Sequence, residues 1–330
     1  MTNAPHAGRP KESVRAILNA SPVLRRAVAA THSGLQRYPR ELLASVKERG
    51  GRERAAIEQT ADLAGFESQT LGAVWIGHAT VLLRIGGKTV LTDPVFSERI
   101  GMAIGGMTLG VARVRPAALD VGHLPRVDVV LLSHAHFDHF DKPSLRALAA
   151  GPARGATVVT SQHTRRLLPR GFGEVTELPW RRSVDVGGVA VSALKPAHWG
   201  ARTALDRHRR FNSYLIESAT ERVFFAGDSA ATDEFDRIGS TDLSIFGIGA
   251  YDPWEHAHAT PEQVWRMYTG MHGGRAHGAI LPMHHSTFVL GREPLDEPLK
   301  RLSAAAGADA RRIVAEMPGG AWARDMKSQT

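Results

Sequence analysis

The segment 131–141 reads LLSHAHFDHFD and concentrates imidazole and carboxylate groups directly after an apolar run. His134, His136, Asp138 and His139 fall within six consecutive positions. Burying so many polar groups without partners would cost on the order of several kcal/mol. An exposed polar loop is the alternative, but the HxHxDH spacing is typical of metal ligands. The segment therefore predicts a metal centre.

Four other apolar runs also end in histidine or aspartate. In chain order, TVLTDP, VAVSALKPAHW, RVFFAGDS and GAILPMHHSTF deliver Asp93, His198, Asp228 and the adjacent pair His284 and His285. In an open α/β sheet, ligands bind beyond the carboxyl ends of the strands. The chain contains no cysteine, so a metal at this edge has to use nitrogen and oxygen ligands. The five runs together supply enough such ligands for two metal ions.

Two metal ions a few Å apart lower the pKa of a shared water, which gives a hydroxide nucleophile near neutral pH without a serine or cysteine. His258, in HAHATPE, is a candidate for contacting a substrate phosphate or protonating the leaving group; a histidine beside a helix start is the alternative. His78, in GHAT, lies either near the metals or against the adjacent hairpin. Asp93 is a candidate for orienting a ligand histidine.

The elements that position these residues begin at about residue 73. AVWIGHATVLLRI, the pair Gly86-Gly87 and KTVLTDP predict two strands joined by a tight turn. Further strands are predicted at VDVVLLS, ATVVTS, VAVSAL, SYLIES, RVFFAG, LSIFGIG and GAILPM. PSLRALAA, PEQVWRMYTGM and EPLDEPLKRLSAAA have helical patterns, and Thr260-Pro-Glu-Gln263 resembles a capping box. The alternation predicts an α/β fold with two sheets.

Residues 1–65 differ from the rest of the chain. They are rich in Arg, Ala and Leu, which predicts a helical N-terminal extension before the α/β domain over residues 66–330. The formal charge of +8 favours phosphate-bearing partners, and peripheral membrane contact through this basic region is an alternative to packing on the domain. A signal peptide and a long apolar stretch are both absent from the sequence, so we expect a cytoplasmic protein, with the inner membrane face as an alternative location.

With these motifs in place, the chain resembles the metallo-β-lactamase fold superfamily, and within it the branch that contains N-acyl-phosphatidylethanolamine-hydrolysing phospholipase D. The segments that carry the resemblance are GHATVLLRIGGKTVLTDPVFSER, LLSHAHFDHFDKPSL, PAHWGARTALDR, FFAGDSA, IGAYDPWEHAHATPEQV and HHSTFVLGREP. The resemblance implies a four-layer αβ/βα sandwich with a dinuclear site. The metal it implies is zinc, with Mn²⁺ or Fe²⁺ as alternatives.

The resemblance also implies a set of metal ligands by matching positions. One ion would be held by His134, His136 and His198, the other by Asp138, His139 and His284, and Asp228 would bridge them. His284 rather than His285 matches the histidine that precedes the Thr-Phe pair in the family.

These motifs predict a dinuclear metal-dependent hydrolase. The preferred activity is that of a phosphodiesterase, similar to a phospholipase D, which uses a metal-bridging hydroxide on a lipid-like or small phosphodiester. Asp138 and His258 are the predicted catalytic residues. Arginines cluster soon after His198, and their planar guanidinium groups suit phosphate oxygens; a solvated basic loop is the alternative. The clustered arginines are Arg202, Arg207, Arg209 and Arg210.

Two other functions stay open at this point. One is a lactonase or other ester hydrolase of the same superfamily, and the second is a metal-bound binding protein without turnover. A nucleic-acid substrate would suit the basic charge, but the sequence has no recognisable extra nucleic-acid domain.

Overall fold

A computed structural model describes residues 61–104, 107–203 and 206–324 of the 330-residue chain. Residues 1–60 of the helical extension predicted for residues 1–65 lie outside the described residues.

Within those ranges the chain forms fifteen strands and three α-helices. The strands are β1 (Leu71–Gly77), β2 (Thr80–Ile85), β3 (Lys88–Thr92), β4 (Arg99–Ile104), β5 (Met107–Ala112), β6 (Val129–Leu132), β7 (Thr157–Thr160), β8 (Val175–Glu177), β9 (Ser183–Asp185), β10 (Ala190–Leu194), β11 (Ser213–Glu217), β12 (Arg222–Phe225), β13 (Leu243–Gly247), β14 (Ala279–Met283) and β15 (Ala321–Ala323). The helices are α1 (Lys142–Ala150), α2 (Pro261–Met271) and α3 (Glu297–Ala306).

Two mixed sheets and one hairpin contain all of these strands. The first sheet has the order β15-β1-β2-β3-β6-β7-β8, and the second has the order β14-β13-β12-β11-β10-β9. Strands β3, β6, β7 and β8 run parallel, as do β12, β13 and β14, while the other neighbours within the two sheets are antiparallel. Strands β4 and β5 pair only with each other.

The two sheets pack face to face around a shared apolar core. Leu83 and Leu131 of the first sheet belong to the same buried cluster as Ile216 and Phe225 of the second. Successive side chains of a strand point to opposite faces, so Leu82 lies on the other face of the first sheet.

Helices cover the outer faces of both sheets. Leu145 of α1 packs in one buried cluster with Leu82 of the first sheet. Val264 of α2 and Leu302 of α3 pack in another with Phe246 of the second sheet. The layers therefore follow the predicted order of helix, sheet, sheet, helix.

Several local predictions are confirmed, and one strand boundary is corrected. Helix α2 begins at Pro261 with a complete capping box between Thr260 and Gln263. The pair Gly86-Gly87 joins β2 to β3. The run before it, predicted as a single strand, is two antiparallel strands, because His78 reverses the chain with a φ of 53°.

No helix in the described part of the chain combines the length and apolar character that crossing a bilayer requires.

Candidate metal centre

The predicted ligands converge at one edge of the two facing sheets. They follow β6, β10, β12 and β14, and they are His134, His136, Asp138, His139, His198, Asp228 and His284. The sheets approach closely here. A Cβ on Gly227, which has a φ of 58°, would lie 2.9 Å from Cβ of Ser133. The residue before Asp228 therefore has to be glycine for the ends of β12 and β6 to meet.

One group of side chains consists of His134, His136, His198 and Asp228, whose ligand atoms all lie within 4.8 Å of one another. Nε2 of His134 is 2.8 Å from Nδ1 of His136, and Nε2 of His198 is 3.3 Å from the same Nδ1. Oδ2 of Asp228 lies 3.7 Å from Nε2 of both His134 and His198. This group contains the three histidines that were assigned to one ion.

A second group consists of Asp138, His139, His284 and His78. Oδ2 of Asp138 lies 3.3 Å from Nε2 of His284 and 3.6 Å from Nε2 of His139. Asp228 reaches this group as well, with Oδ2 3.0 Å from Nε2 of His139 and Oδ1 3.3 Å from Nε2 of His284. Asp228 thus lies between the two groups, where a bridging ligand was predicted.

The spacing and chemistry of these atoms fit a pair of divalent ions. A tetrahedral ion with bonds of about 2.0–2.1 Å needs ligand atoms about 3.3 Å apart, and the separations above run from 2.8 to 3.7 Å. Nε2 of His139, Nε2 of His284 and Oδ1 of Asp228 are buried and make no hydrogen bond. Such atoms are costly to bury, and a cation would satisfy all three. The two His/Asp groups suggest a dinuclear metal site.

Asp93, at the end of β3, contacts the remaining ring nitrogen of His139. Its Oδ2 is 2.7 Å from Nδ1 of His139, and the carboxylate accepts hydrogen bonds from the backbone N–H and the hydroxyl of Ser133 at 2.7 and 2.5 Å. A carboxylate partner makes Nδ1 the protonated nitrogen, so Nε2 carries the lone pair that a metal binds. Asp93 thus occupies the position expected of a residue that orients a ligand histidine.

Burial and charge shift the pKa values of the predicted ligand histidines in opposite directions in the two groups. Burial lowers the pKa of all three histidines in the first group, that of His136 to about 4. Burial also acts against protonation of His139 and His284, but Asp228 and Asp138 raise the pKa of His139 well above its usual value and that of His284 to about 9. A proton therefore has to leave His139 and His284 before either ring can bind a metal.

His258 faces the centre from the segment that precedes α2. Its Nδ1 lies 3.9 Å from Oδ2 of Asp228, and its ring centroid is 5.1 Å from that of His284. Helix α2 is capped by Thr260 and Gln263, without the His258 side chain. Burial lowers the pKa of His258 to about 4, so the ring is neutral at pH 7. A neutral imidazole can donate one hydrogen bond to a substrate oxygen. It is a weak acid, however, and is therefore less suited to transferring a proton to a leaving group.

The adjacent histidines after β14 have different surroundings. His284 faces the carboxylates described above. The ring of His285 packs 4.8 Å from that of Trp75, and its Nδ1 lies 2.9 Å from Oγ of Ser286. The structure therefore brings His284 to the centre and leaves His285 outside it.

A cavity of about 340 Å³ opens onto the two groups. Asp138 and His258 both line it, together with His136 and Asp228. Apolar side chains form much of the remaining wall, and they are Ile100, Met102, Leu109, Val111, Trp199, Pro253, Trp254, Val289 and Leu290. The hairpin β4–β5 supplies four of these side chains. Neither its two strands nor the contribution of the two tryptophans to the cavity was predicted from the sequence.

The expected cluster of four arginines does not form at this cavity. Arg202 lines it, with its guanidinium carbon 3.9 Å from the centroid of the Phe137 ring. Arg209 instead pairs with an aspartate 2.6 Å away, Arg210 lies over a tryptophan ring at 5.0 Å, and Arg207 is exposed. The prediction of a phosphate-binding cluster is therefore wrong for three of the four side chains, because other partners or solvent take them.

Comparisons with known proteins agree with this geometry. A family model described as "Beta-lactamase superfamily domain" matches residues 88–285. An uncharacterised protein of Mycobacterium tuberculosis is 31% identical over 269 residues, which cover 77% of this chain and 68% of that protein. N-acyl-phosphatidylethanolamine-hydrolyzing phospholipase D 1 of Caenorhabditis elegans is 30% identical over 262 residues, which cover 73% of this chain and 72% of that enzyme.

A solved structure extends the likeness to the fold. The isothiocyanate hydrolase from Delia radicum gut bacteria aligns with a TM-score of 0.60 over 77% of this chain and 99% of that chain. At 18% identity this likeness concerns the fold alone.

Proposed function

Because this chain belongs to the metallo-β-lactamase superfamily and is a metal-dependent hydrolase, we propose that it hydrolyses a lipid-like phosphodiester, as a phospholipase D does. The observation that carries this proposal is the apolar cavity that opens onto the His/Asp centre. The similarity to the Caenorhabditis elegans phospholipase supports the same substrate class.

The proposed metals are two zinc ions, since zinc accepts nitrogen and oxygen ligands and the chain offers no thiolate. Mn²⁺ and Fe²⁺ are the alternatives. Seven side chains would hold the pair, namely His134, His136, His198, Asp138, His139, His284 and the bridging Asp228. When bound, two such ions lower the pKa of water and neutralise negative charge on a phosphoryl oxygen.

Two residues that line the cavity would act on the substrate and the attacking water. Asp138 would accept a hydrogen bond from the water and orient it towards phosphorus. His258 would donate its one N–H to a phosphate oxygen, which suits a ring that burial keeps neutral at pH 7. Arg202 adds a positive charge at the edge of the same cavity. His258 is thus proposed as a positioning group for phosphate, in preference to a general acid.

The apolar wall is what favours a lipid-like substrate over a small polar one. Each methylene group removed from water stabilises a complex by about 0.8 kcal/mol, so an acyl chain along this wall would add substantially to binding. Met102 and Trp199 both line the cavity and are 50% and 40% exposed. We propose that this exposed rim, and not only the basic N-terminal region, contacts the lipid surface that presents the substrate.

The test is a comparison of kcat/KM for a panel of phosphodiesters and a panel of lactones on one zinc-loaded sample. Bis(p-nitrophenyl) phosphate, a glycerophosphodiester and an N-acylated phosphatidylethanolamine form the first panel. We expect phosphodiesters to be preferred, and long-chain ones most of all. A preference of tenfold or more for lactones would replace this proposal with that of a lactonase. A metal-loaded protein that turns over neither panel would support a binding protein without turnover.

A further inference from the structure

His78 forms the turn between β1 and β2 and belongs to the second group of the centre. We infer that His78 is a positioning residue that orients Asp138 through a hydrogen bond from Nε2 to Oδ2, and that it is not itself a metal ligand. The inference depends on the metal centre proposed above but not on the substrate class. Its tests therefore measure metal binding and the ring itself, and not turnover.

The contact with Asp138 determines which ring nitrogen carries the proton. His78 is 1% exposed, and its Nε2 lies 3.0 Å from Oδ2 of Asp138. An ionised carboxylate only accepts hydrogen bonds, so Nε2 has to be the donor. A nitrogen that carries a proton has no lone pair for a metal. The carboxylate oxygen can accept this hydrogen bond and still offer a second lone pair to an ion.

Backbone hydrogen bonds fix the place from which the ring reaches Asp138. The N–H of His78 donates to Oγ1 of Thr287 at 2.9 Å, and its carbonyl oxygen accepts from Nε1 of Trp75 at 2.8 Å and from the N–H of His284 at 3.0 Å. A residue with a side chain is strained at a φ of 53°, by about 1–3 kcal/mol, and such strain persists where the surroundings determine the conformation. His78 thus ties the turn to the segment that carries the ligand His284.

The ring of His78 otherwise packs against aromatic rings, two of which belong to the proposed ligands His139 and His284. Its centroid is 4.1 Å from that of His284 and 5.1 Å from that of Phe288, which it meets edge to face. Nδ1 is buried and makes no hydrogen bond. An unsatisfied buried acceptor costs about 1–3 kcal/mol, which an apolar side chain would avoid. The contact that distinguishes histidine from such a side chain is the one with Asp138.

A matched pair of variants isolates that hydrogen bond. His78→Gln and His78→Met have side chains of similar length and flexibility, and both meet the same left-handed backbone, but only glutamine has a donor that can reach Asp138. Stepwise titration with Zn²⁺ against a competing chelator gives the dissociation constant of each ion. We expect His78→Met to weaken the binding of one of the two ions by about 10–100-fold, as changes to the hydrogen-bond partners of metal ligands do. His78→Gln is expected to stay within about threefold of the unchanged protein.

The control variant is His285→Asn. His285 is buried beside the centre but contacts none of the ligand carboxylates, so this variant is expected to bind both ions normally. Equal zinc affinities in His78→Gln and His78→Met, whether both normal or both lost, would overturn the inference. If the unchanged protein binds no metal, the proposed function fails instead, and the two failures are distinct.

The unchanged protein offers a measurement that needs no variant to fold. In a ¹⁵N-histidine sample loaded with ¹¹³Cd²⁺, we expect Nε2 of His78 to carry a proton and to show no coupling to cadmium. Nε2 of His139 and His284 should show that coupling. Coupling between cadmium and His78 would make it a ligand and contradict the inference.

Discussion

Oδ2 of Asp93 lies 2.7 Å from Nδ1 of His139, and both side chains are completely buried. The pair joins the end of β3 to the loop after β6, and it sets the ring of His139 with Nε2 towards Asp228. Asp93, which is not among the seven proposed ligands, thus determines which nitrogen of His139 is available to a metal.

Asp93→Asn is expected to weaken the binding of the ion held by His139 by about 10–100-fold. The asparagine amide can present a donor to Nδ1, which would move the proton of the ring to Nε2 and block the metal-binding lone pair. Zinc titration against a chelator measures the effect. Asp128→Asn is the matched control, because Asp128 accepts a hydrogen bond from the Thr89 N–H at the opposite end of β6. Wild-type affinity for both ions in Asp93→Asn would show that the contact does not orient His139.

Zinc uptake should release protons and strengthen as pH rises towards 9. The carboxylates around His284 raise its pKa from 6.5 to about 9, although burial opposes this, so at pH 7 the ring holds a proton that zinc has to displace. Calorimetric titrations in buffers of different ionisation enthalpy count the released protons. Zinc affinity that stays constant between pH 6 and 9 would contradict the raised pKa.

The same raised pKa predicts how stability varies with pH in the presence of a chelator. A histidine whose pKa is higher in the folded than in the unfolded chain stabilises the fold below the unfolded value of about 6.5. That contribution is lost as pH rises through about 9. We therefore expect Tm in EDTA to fall between pH 7 and 9.5. A Tm that rises over this interval would contradict the expectation.

His258→Ala is expected to lower kcat/KM for a phosphodiester by about 10–100-fold, because a hydrogen bond to a charged oxygen contributes about 1.5–3 kcal/mol. Most of the loss should fall on KM, with the metal content unchanged. Steady-state kinetics and elemental analysis of the same sample check both points. Loss of one ion from the His258→Ala variant would identify His258 as a metal ligand. A fall in kcat alone, with loss of the basic limb of the pH profile, would identify a general acid.

Met102→Glu should separate long-chain from short substrates. Met102 lies on β4 at the exposed rim of the cavity, and burying a methionine side chain contributes about 1.5–3 kcal/mol. A charge there should lower kcat/KM for a long-chain phosphodiester by at least about tenfold and leave bis(p-nitrophenyl) phosphate unchanged. Met102→Leu is the control and should behave like the unchanged protein. Equal losses on both substrates would mean that the rim does not bind an acyl chain.

The sequence pattern predicted an α/β fold with two sheets and the convergence of the ligands because both depend on local patterns, whereas the four-layer order was implied by the family resemblance. The apolar run of β6 followed by His134, or of β12 followed by Asp228, marks a buried strand with a polar end. The rule that ligands gather at the carboxyl ends of strands then brings these residues together.

Features that depend on tertiary packing were missed or predicted wrongly. Hairpin β4–β5 contains few β-branched or aromatic residues, and its glycines pack backbone against backbone, since a Cβ on Gly101 would lie 2.1 Å from the Leu109 carbonyl oxygen. The alternation of apolar residues and glycine in this segment was the sequence signal from which the hairpin could have been predicted. Strands β8 and β9 have three residues each and depend on their neighbours β7 and β10. The arginine prediction failed because the partners of Arg209 and Arg210 are determined only by the folded loop.

The most direct test of the account is the metal content of the protein. Elemental analysis after gentle dialysis should find about two divalent ions per chain, with zinc the main metal, and His136→Ala should retain about one while staying folded. Such a result would support the dinuclear centre on which the proposed chemistry depends. A content well below one ion per chain, with no uptake after addition of Zn²⁺ or Mn²⁺, would contradict it.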